Sequence, residues 1–543
     1  MENKLDTTVN KIDAIIIGSG VGGLAAASLL TKIFNKKVLV IERHGKLGGF
    51  THTFKRLDKF KWDVGLHYVG DLEKGSPSEN LFSFITANQL TWNKMPPIFE
   101  KFIYPDFEFQ VPSHPKEYQE QLTQKFPNET YAIHKYFKDI KALTQIYGLK
   151  MASKHFPPFV EKTLKLYYTY RLKKTLGPTL SGRLYSLTTK EYLDYLTKNE
   201  LLKSVLCSQW MDYGVPPAQS SIFTHATIAS HYLNGAYYPQ GGSDQIASLI
   251  KKDLEAKGCQ FLTSHEVKEI LIENHQAVGV HAHNRKSERP EDADKIFKSD
   301  IVISNAGARN TYLKLLPAFV KIPFRQKLQD IQPGCTNLTL FIGFKENPSS
   351  LNLKGENFWI FSNPNHDDIE KNKNRILGAA PEMCYISFPS LKDPLSTNHT
   401  AEILVPVGYE PFFKWKDQPA KNRDAEYKRL KEFMSQEILN FVEKHIPGFK
   451  DIVEFADLGT PLTNEHYENS FHGEIYGIPA TPERINAPWI SPQTPVKNLF
   501  LVGADATVHG IVGALWSSIS CLLSIYGWKS FGKISEAIAS RKK

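Results

Sequence analysis

The sequence predicts an α/β protein in which a Rossmann-type dinucleotide-binding domain is interleaved with an α+β substrate domain. Three observations predict this fold: a glycine-rich turn near the N-terminus, an acidic residue after the next apolar run, and a second glycine-rich turn near the C-terminus. The chain has 543 residues, enough for several domain-sized units. Its hydrophobic content of 41% is that of an ordinary globular protein with a large core.

The first glycine-rich turn joins an apolar run, residues 15–17, to a stretch of small residues. Gly18, Gly20 and Gly23 have the G-x-G-x-x-G spacing of a dinucleotide-binding βαβ unit. In such a unit the first glycine permits the turn, the second lets the backbone approach a pyrophosphate, and the third lets the helix pack on the strand. The phosphates then meet free N–H groups at the positive end of the helix.

The second apolar run, residues 38–41, ends in Glu42. A carboxylate about 20 residues after the glycine turn is where a ribose-binding side chain belongs. A glycine turn alone is weak evidence, but the strand, the helix and the acid in register favour a dinucleotide site. The doublet Gly48-Gly49 follows, and glycine pairs are often flexible surface turns. Here the pair also resembles the extended fingerprint of FAD-dependent oxidoreductases of the amine oxidase and phytoene desaturase type (the GR2 fold).

The second glycine-rich turn follows the apolar residues 499–502 and contains Gly503, Asp505 and the pair Val512-Gly513. An acidic residue after a strand can bind a ribityl hydroxyl or cap a helix. Free N–H groups at the start of the next helix can stabilise negative charge on a reduced flavin. Because a two-ended cofactor needs two cradles, this turn strengthens the N-terminal signal.

These signals divide the chain into interleaved blocks. Residues 1–71, 235–307 and 496–543 are expected to form the cofactor domain, and residues 72–234 and 308–495 the substrate domain. Within the second cofactor block we expect a helix over 243–257, strands over 259–262, 267–272, 278–280 and 300–304, and a solvated loop over 285–298. The apolar residues 510–527 are interrupted by serines and predict a buried helix.

Composition excludes several classes of protein. A net charge of +9 is too modest for a dedicated nucleic-acid binder, although it suits an anionic membrane surface. The five cysteines form no C-x-x-C pair, so we expect neither a disulfide framework nor a metal site. The polar start of the chain predicts a cytoplasmic rather than a secreted protein. The oligomeric state is left open.

Residues 156–174 interleave aromatic and basic side chains at roughly helical spacing. One interpretation is a helix on a membrane surface, which would give a peripheral membrane contact. The other is an ordinary amphipathic helix of the substrate domain, and the sequence favours neither.

Beyond the glycine turns, six blocks of sequence reach over nearly the whole chain: residues 48–54, 62–70, 237–243, 302–307, 386–394 and 503–505. In these blocks the sequence resembles the retinol saturase branch of the phytoene desaturase and carotenoid isomerase superfamily. The resemblance implies an FAD enzyme acting on conjugated polyenes or related isoprenoid lipids. Animal retinol saturases have an N-terminal secretory signal, which is not seen here, so the substrate and cell type stay open.

The resemblance also implies roles for individual residues. The residues expected along the cofactor are Gly18, Gly20 and Gly23 at the pyrophosphate, Glu42 at the ribose, Arg43 and Lys46 near the adenosine and pyrophosphate, Val267 at the adenine through its backbone, and Gly48, Gly49, Gly503, Asp505, Val512 and Gly513 along the ribityl and isoalloxazine end. For Arg43 and Lys46 a solvated basic turn is an equally good interpretation.

The implied chemistry is hydride exchange between the flavin and a polyene carbon, with a proton added to or removed from the neighbouring carbon. His67 and Tyr68 are the candidate proton donors, followed by His52 and His509. Each histidine is alternatively a hydrogen-bonded structural residue. A further alternative is that the polyene stabilises a carbocation, so that no dedicated acid is needed. Guesses for the pocket wall are Trp210, Tyr213, Tyr237 and Phe388, all of which could equally be core residues.

Three functions remain open from the sequence. The first is an FAD-dependent oxidoreductase that saturates or desaturates a carbon–carbon double bond of a lipophilic polyene. The second is an FAD-dependent cis–trans carotenoid isomerase without net redox change. The third is a non-catalytic, membrane-associated flavoprotein that binds a lipid.

Overall fold

The structure is a computed structural model that describes residues 12–183, 185–289 and 293–540. Its strands are β1 (Ile12–Ile17), β2 (Val38–Ile41), β3 (Thr53–Arg56), β4 (Phe60–Asp63), β5 (Trp92–Lys94), β6 (Ile98–Tyr104), β7 (Phe107–Pro112), β8 (Tyr237–Pro239), β9 (Gln260–Leu262), β10 (His265–Glu273), β11 (Gln276–Asn284), β12 (Asp294–Ser304), β13 (Asn337–Phe344), β14 (Asn357–Phe361), β15 (Met383–Ser387), β16 (His399–Pro406), β17 (Val453–Gly459) and β18 (Leu499–Leu501).

The helices are α1 (Val21–Phe34), α2 (Pro77–Ile85), α3 (Pro115–Lys125), α4 (Thr130–Ser153), α5 (Pro158–Ser181), α6 (Thr189–Leu196), α7 (Glu200–Leu206), α8 (Ile222–His231), α9 (Asp244–Glu255), α10 (Arg325–Asp330), α11 (His366–Lys371), α12 (Pro389–Lys392), α13 (Ala425–Glu443), α14 (Pro461–Glu468), α15 (Gly510–Tyr526) and α16 (Ser530–Ala539). Short 3₁₀ turns and one π-helical turn, Asn310–Leu315, connect them.

The first large sheet is of the Rossmann type, in agreement with the predicted α/β class. Strands β9, β2, β1, β12 and β18 are parallel neighbours in that order. β1 and β2 are apolar and buried along almost their whole length, as expected for parallel strands covered on both faces. The carboxyl ends of β1, β2, β12 and β18 therefore meet at one edge.

β12 also pairs antiparallel with β11, and β11 with β10, which adds a meander to the parallel sheet. The sequence prediction of a solvated loop over 285–298 is therefore wrong at its end, because residues 294–298 belong to β12. The alternating polar side chains of that stretch concealed a strand whose ladder partner is β11.

Helices α1, α9 and α15 cover one face of the first sheet. α15 packs on α1, and Leu515, Ile519 and Leu522 join the core formed by α1 and α9. The predicted buried helix over 510–527 is thus confirmed. Among the described residues, no helix combines the length and apolar character that crossing a bilayer would require.

The second large sheet has the order β17-β13-β16-β15-β14-β6-β7 and takes strands from both intervening segments. Some elements pack across the expected domain boundaries. The β3–β4 hairpin lies on the second sheet, where Trp62 Nε1 donates to Ile342 O at 2.8 Å. Helix α2, in contrast, packs in the core formed by α1, α9 and α15. The boundaries stay a prediction, but the two sheets face one cavity.

Candidate cofactor and substrate site

A cavity of about 510 Å³ opens at the carboxyl edge of the parallel sheet and extends to the second sheet. Most of the sequence-predicted residues lie on its wall. These are Gly18, Gly20, Glu42, Arg43, Gly48, Gly49, His67, Val267, Gly503 and Asp505. The structure thus brings together side chains and backbone from both ends of the chain.

The glycine-rich segments at residues 18–23, 48–49 and 503 contact one another on the cavity wall. Gly20 forms a backbone bridge with Gly48, and a Cβ atom on Gly22 would lie 2.9 Å from the nitrogen of Gly503. The N-termini of α1 and α15 both reach this wall, so two positive helix ends face the same space. This arrangement suits the pyrophosphate of a dinucleotide.

Glu42 is held rigidly at the end of β2. One carboxylate oxygen accepts hydrogen bonds from the nitrogen and hydroxyl of Ser19 at 2.8 and 2.6 Å, and the other accepts from His44 N at 2.7 Å. Arg43 donates to the carbonyl of His466 at 2.8 Å and its Nε lies 3.4 Å from Glu266. Lys46 does not lie on the wall, because its Nζ donates to Thr53 O at 2.8 Å.

Asp505 connects three turns at the other end of the cradle. Its carboxylate accepts from Ala308 N at 2.9 Å and from Ile478 N at 3.1 Å, and Arg484 lies 3.5 Å away. The side chain reaches the cavity, but its oxygens already bind backbone N–H groups. Asp505 therefore organises the backbone around the cavity, whatever it contributes to a ligand.

Besides Lys46, three predicted cofactor residues do not lie on the wall. A Cβ atom on Gly23 would lie 2.4 Å from Gly18 O, so this glycine serves the packing of α1 against the turn. Val512 and Gly513 face away, whereas Gly510, Ile511 and Ala514 line the cavity. The helical repeat of 3.6 residues puts those three on one face of α15 and the predicted pair on another.

Another part of the cavity wall is aromatic and apolar. It includes Met211, Trp359, Tyr385, Leu404 and Tyr476, most of which come from the second sheet. The four residues predicted from the sequence for this wall do not lie on it. Trp210, Tyr213 and Phe388 pack in hydrophobic cores, and Tyr237 belongs to strand β8, which pairs with β5. No sequence pattern marks the correct set, because it is assembled from separate strands.

His67 lies on the wall, whereas Tyr68 is buried behind it. His67 Nδ1 lies 2.8 Å from Glu402 Oε2, and burial lowers the pKa of His67 to about 3. Tyr68 donates its hydroxyl to Oδ2 of Asp212 at 2.6 Å, and Asp212 does line the cavity. Asp212 was not singled out by the sequence, since an isolated Asp in a short turn carries no motif.

His52 and His509 are off the wall and act structurally. His52 Nδ1 lies 2.7 Å from Gly49 O, and His509 Nε2 lies 2.8 Å from Ile478 O. Burial lowers the pKa of both rings, that of His52 to about 4. Both rings are therefore neutral at pH 7 and bound to backbone carbonyls.

The wall fits a dinucleotide cofactor in two independent respects. The glycine turns have left-handed backbone conformations that residues with a Cβ atom rarely adopt, with φ of +88° at Gly18 and +117° at Gly48. Within the described part of the chain, Oδ1 of Asn310 and Oγ of Ser470 are shielded from solvent without a hydrogen-bond partner, and both residues line the cavity. Buried polar atoms of this kind fit the polar groups of a ligand.

Comparison with known proteins agrees with this geometry. Residues 16–86 match the family model for an NAD(P)-binding Rossmann-like domain. Among solved structures, a putrescine oxidase bound to putrescine superposes with a TM-score of 0.61 at 13% identity, covering 95% of this chain and 99% of the other. At that identity the match shows the fold alone.

Curated relatives are similar over nearly the whole chain. The all-trans-retinol 13,14-reductase of Danio rerio is 35% identical over 531 residues, which are 94% of this chain and 85% of the relative. That of Rattus norvegicus is 32% identical, with 95% and 86% coverage, and prolycopene isomerase 2 of an Oncidium hybrid cultivar is 26% identical, with 94% and 83% coverage. This protein therefore belongs to the all-trans-retinol 13,14-reductase family of oxidoreductases.

Proposed function

We propose that this protein binds FAD and saturates a carbon–carbon double bond of a lipophilic polyene such as a retinoid. The observation that carries the proposal is the shared cavity, in which a dinucleotide cradle opens directly into an aromatic chamber. The names of the relatives, reductases of all-trans-retinol, supply the substrate class.

FAD bound in the cradle would supply hydride transfer to the substrate. The chain's own contribution is to bind, orient and exclude water. The two helix N-termini at Val21 and Gly510 face the cradle and favour the negative charge of a pyrophosphate and of a reduced cofactor. Trp359, Tyr385 and Leu404 offer an apolar wall for a polyene chain.

The decisive experiment is the absorption spectrum of the purified protein, followed by anaerobic reduction and addition of all-trans-retinol. We expect flavin bands, reoxidation of the flavin by the polyene, and a product two daltons heavier. A colourless protein that cannot be reconstituted with FAD would contradict the proposal. Variant Gly49→Val should lose FAD, because a Cβ atom there would lie 3.2 Å from Gly20 Cα at a φ of +53°.

The same experiment separates the alternatives. A product of unchanged mass with a shifted absorption spectrum would indicate isomerisation, the activity named for the prolycopene isomerases among the relatives. Bound FAD without turnover of any polyene would indicate the non-catalytic alternative. A relative from Danio rerio, 29% identical, is itself named an inactive all-trans-retinol 13,14-reductase.

We further infer that α5 contacts a membrane surface. Tyr168, Leu172 and Leu176 form its buried stripe, which would suffice for an ordinary amphipathic helix. The opposite face nevertheless exposes large apolar side chains, among them Phe159 at 74% and Leu166 at 68%. Exposed aromatic groups next to lysines are typical of helices that lie in the lipid interface.

A second element continues this surface. Phe156, just before α5, lies 6.0 Å from the ring of Trp528, and Phe531 of α16 is 53% exposed. The exposed basic side chains on α5 include Lys162, Lys165, Lys173 and Lys174, which favour anionic lipid. Two elements distant in sequence thus present apolar and basic groups together.

Sedimentation with phosphatidylcholine vesicles, with and without phosphatidylserine, tests this contact. The double variant Phe159→Ser/Phe531→Ser should lower binding at least about tenfold, because each ring contributes about 1.5–3 kcal/mol when buried. Phe319→Ser, at a ring that is 71% exposed elsewhere, is the matched control and should bind like the wild type. Equal binding of all three proteins would contradict the inference.

A further inference from the structure

Saturation of a double bond requires a proton as well as a hydride. The geometry points to Asp212 as the group that holds this proton and delivers it, with Tyr68 as its positioning residue and Glu100 as a neighbouring buried carboxyl group. This inference rests on the proposed function, and it differs from the sequence prediction, which named His67 and Tyr68 as donors.

Asp212 is placed to reach the substrate. It ends the 3₁₀ turn Ser208–Asp212, and together with Met211 it forms part of the cavity wall. Its Oδ2 accepts the hydroxyl of Tyr68 at 2.6 Å. Among the described residues, Oδ1 has no hydrogen-bond partner and no cationic side chain pairs with the carboxyl group, so one oxygen is available to carry a proton.

Tyr68 is fixed by its neighbours and therefore fixes Asp212. Its ring stacks on Tyr232 with centroids 4.4 Å apart and on Tyr385 at 6.2 Å. Burial raises the pKa of the Tyr68 hydroxyl well above its usual range, so this phenol keeps its proton and donates a hydrogen bond. A group of this kind orients an acid but does not itself transfer the proton.

Glu100 is the second carboxyl group of the cluster. It is fully buried, and accepts from Trp359 Nε1 at 2.8 Å and from Gln209 Nε2 at 2.7 Å. Burial raises the pKa of Glu100 to about 7, and burial together with the charge of Glu100 raises the pKa of Asp212 well above its usual range. Burial and the neighbouring carboxyl group thus favour the protonated form of Asp212.

The surroundings of Asp212 contain weak acids rather than cations. Five tyrosines interact with the carboxyl group of Asp212: Tyr68, Tyr213, Tyr232, Tyr385 and Tyr476. The cation that interacts with Glu100 is Lys392. His67, in contrast, is neutral at pH 7 because burial lowers its pKa to about 3. Glu468 and Glu474 also line the cavity and have raised pKa values, but Glu468 lies 3.5 Å from His52 beside the glycine cradle and Glu474 accepts from Gly334 N at 3.0 Å. Asp212 is the carboxyl group that Tyr68 holds next to Tyr385 of the aromatic wall.

Reduction adds a hydride and a proton to the two carbons of one double bond. A reduced flavin held in the cradle would supply the hydride, with its two electrons, to one of these carbons. The O–H bond of Asp212 breaks as the new C–H bond forms at the neighbouring carbon, and the electron pair of the double bond makes that bond. The carboxylate that remains regains a proton from water before the next turnover.

Asp212→Asn and the control Asp417→Asn, an exposed carboxyl group, test the inference. We expect Asp212→Asn to lower kcat for reduction about 10²–10⁴-fold, the range of a general acid, and Asp212→Glu to regain part of it. Activity of the wild type should fall as pH rises through the pKa of Asp212. Glu100→Gln should move that limb to lower pH, because removing the neighbouring negative charge lowers the pKa of Asp212.

A second readout does not depend on turnover. In the infrared spectrum of the resting protein, the C=O band of a neutral carboxyl group should persist at pH 7 and weaken in Asp212→Asn relative to Asp417→Asn. An unchanged band, or wild-type turnover by Asp212→Asn, would overturn the inference. If the wild type reduces no polyene, the proposed function fails, and the infrared band still decides whether Asp212 holds a proton at neutral pH.

Discussion

At the scale of single residues, the unusual feature is a set of charged groups buried behind the cavity wall. Lys392 Nζ donates to His67 O at 3.0 Å, to Asn357 Oδ1 at 2.5 Å and to Ser387 Oγ at 2.7 Å. Burial lowers its pKa to about 7, and burial raises the pKa of nearby Glu402 to about 8. The cluster attaches the loop that carries His67 to the second sheet.

Replacing Lys392 by Met should therefore destabilise the protein by about 3 kcal/mol, since it removes a buried donor and leaves three buried acceptors without that hydrogen bond. Lys345→Met, at an exposed lysine, is the matched control and should change the free energy of unfolding by less than about 0.5 kcal/mol. Denaturant unfolding of both variants measures the difference. Equal midpoints would show that the cluster contributes nothing to stability.

At the scale of elements, the most constrained helix is α1. It is buried along nearly its whole length, and it packs against α15 on one side and the glycine turn on the other. Small residues make this possible because their backbones approach closely. A glycine here has a packing role that the dinucleotide motif alone does not reveal.

Gly23→Ala tests that role. The added Cβ would lie 2.4 Å from Gly18 O, so we expect a loss of about 1–3 kcal/mol and weaker retention of FAD. Gly148→Ala is the matched control, because a Cβ atom there, inside α4, has nothing within 4 Å. It should be neutral or stabilise by up to about 1 kcal/mol. Thermal unfolding and flavin content report both effects, and a Gly23→Ala protein as stable as Gly148→Ala would contradict the packing argument.

At the scale of the whole molecule, many acids and bases are buried and have shifted pKa values. Carboxyl groups with a raised pKa are Asp63 (about 6), Glu100 and Glu474 (about 7), and Glu402 and Glu468 (about 8). Histidines with a lowered pKa are His67 and His225 (about 3) and His52 and His366 (about 4). Burial is the main cause for both groups, so both make stability depend on pH.

The two groups act in opposite directions. The carboxyl groups bind more protons in the folded state, so their contribution is present below about pH 4.5 and is lost as pH rises to about 8. The histidines bind more protons in the unfolded state, so their contribution is lost as pH falls from about 6.5 to about 3. Lys392, whose pKa is lowered, adds stability above about pH 7, but it is one group against several.

We therefore expect the Tm of the cofactor-free protein to fall as pH rises from 6.5 to 8, because in this window the carboxyl groups outweigh Lys392. Glu402→Gln should reduce this slope, because it removes one of the groups with a pKa near 8. Differential scanning calorimetry across this window measures the dependence. A Tm that rises from pH 6.5 to 8 would contradict the assignment of these groups as buried and neutral.

The parallel sheet, the glycine cradle and the family could be predicted from sequence, because these depend on local signals. Apolar runs, turns and an acid at fixed spacing predict β1, α1, β2 and Glu42 directly, since strand ends and helix starts are set by neighbouring residues. The doublet Gly48-Gly49 and the turn at Gly503 were predicted from local signals of the same kind. The polar strand start at residues 294–298 was missed because its partner, β11, decides its structure.

The groups proposed to act on the substrate, in contrast, are brought together by tertiary packing. Asp212, Tyr68 and Glu100 come from a turn, a loop and a strand that no spacing rule connects, and their proton affinities arise from shared burial. The same holds for the aromatic wall, to which separate strands of the second sheet contribute single residues, and for the surface shared by α5 and α16. Local pattern fixes where a backbone turns, whereas burial and proximity, which fix pKa values and cavity walls, exist only once distant segments have packed together.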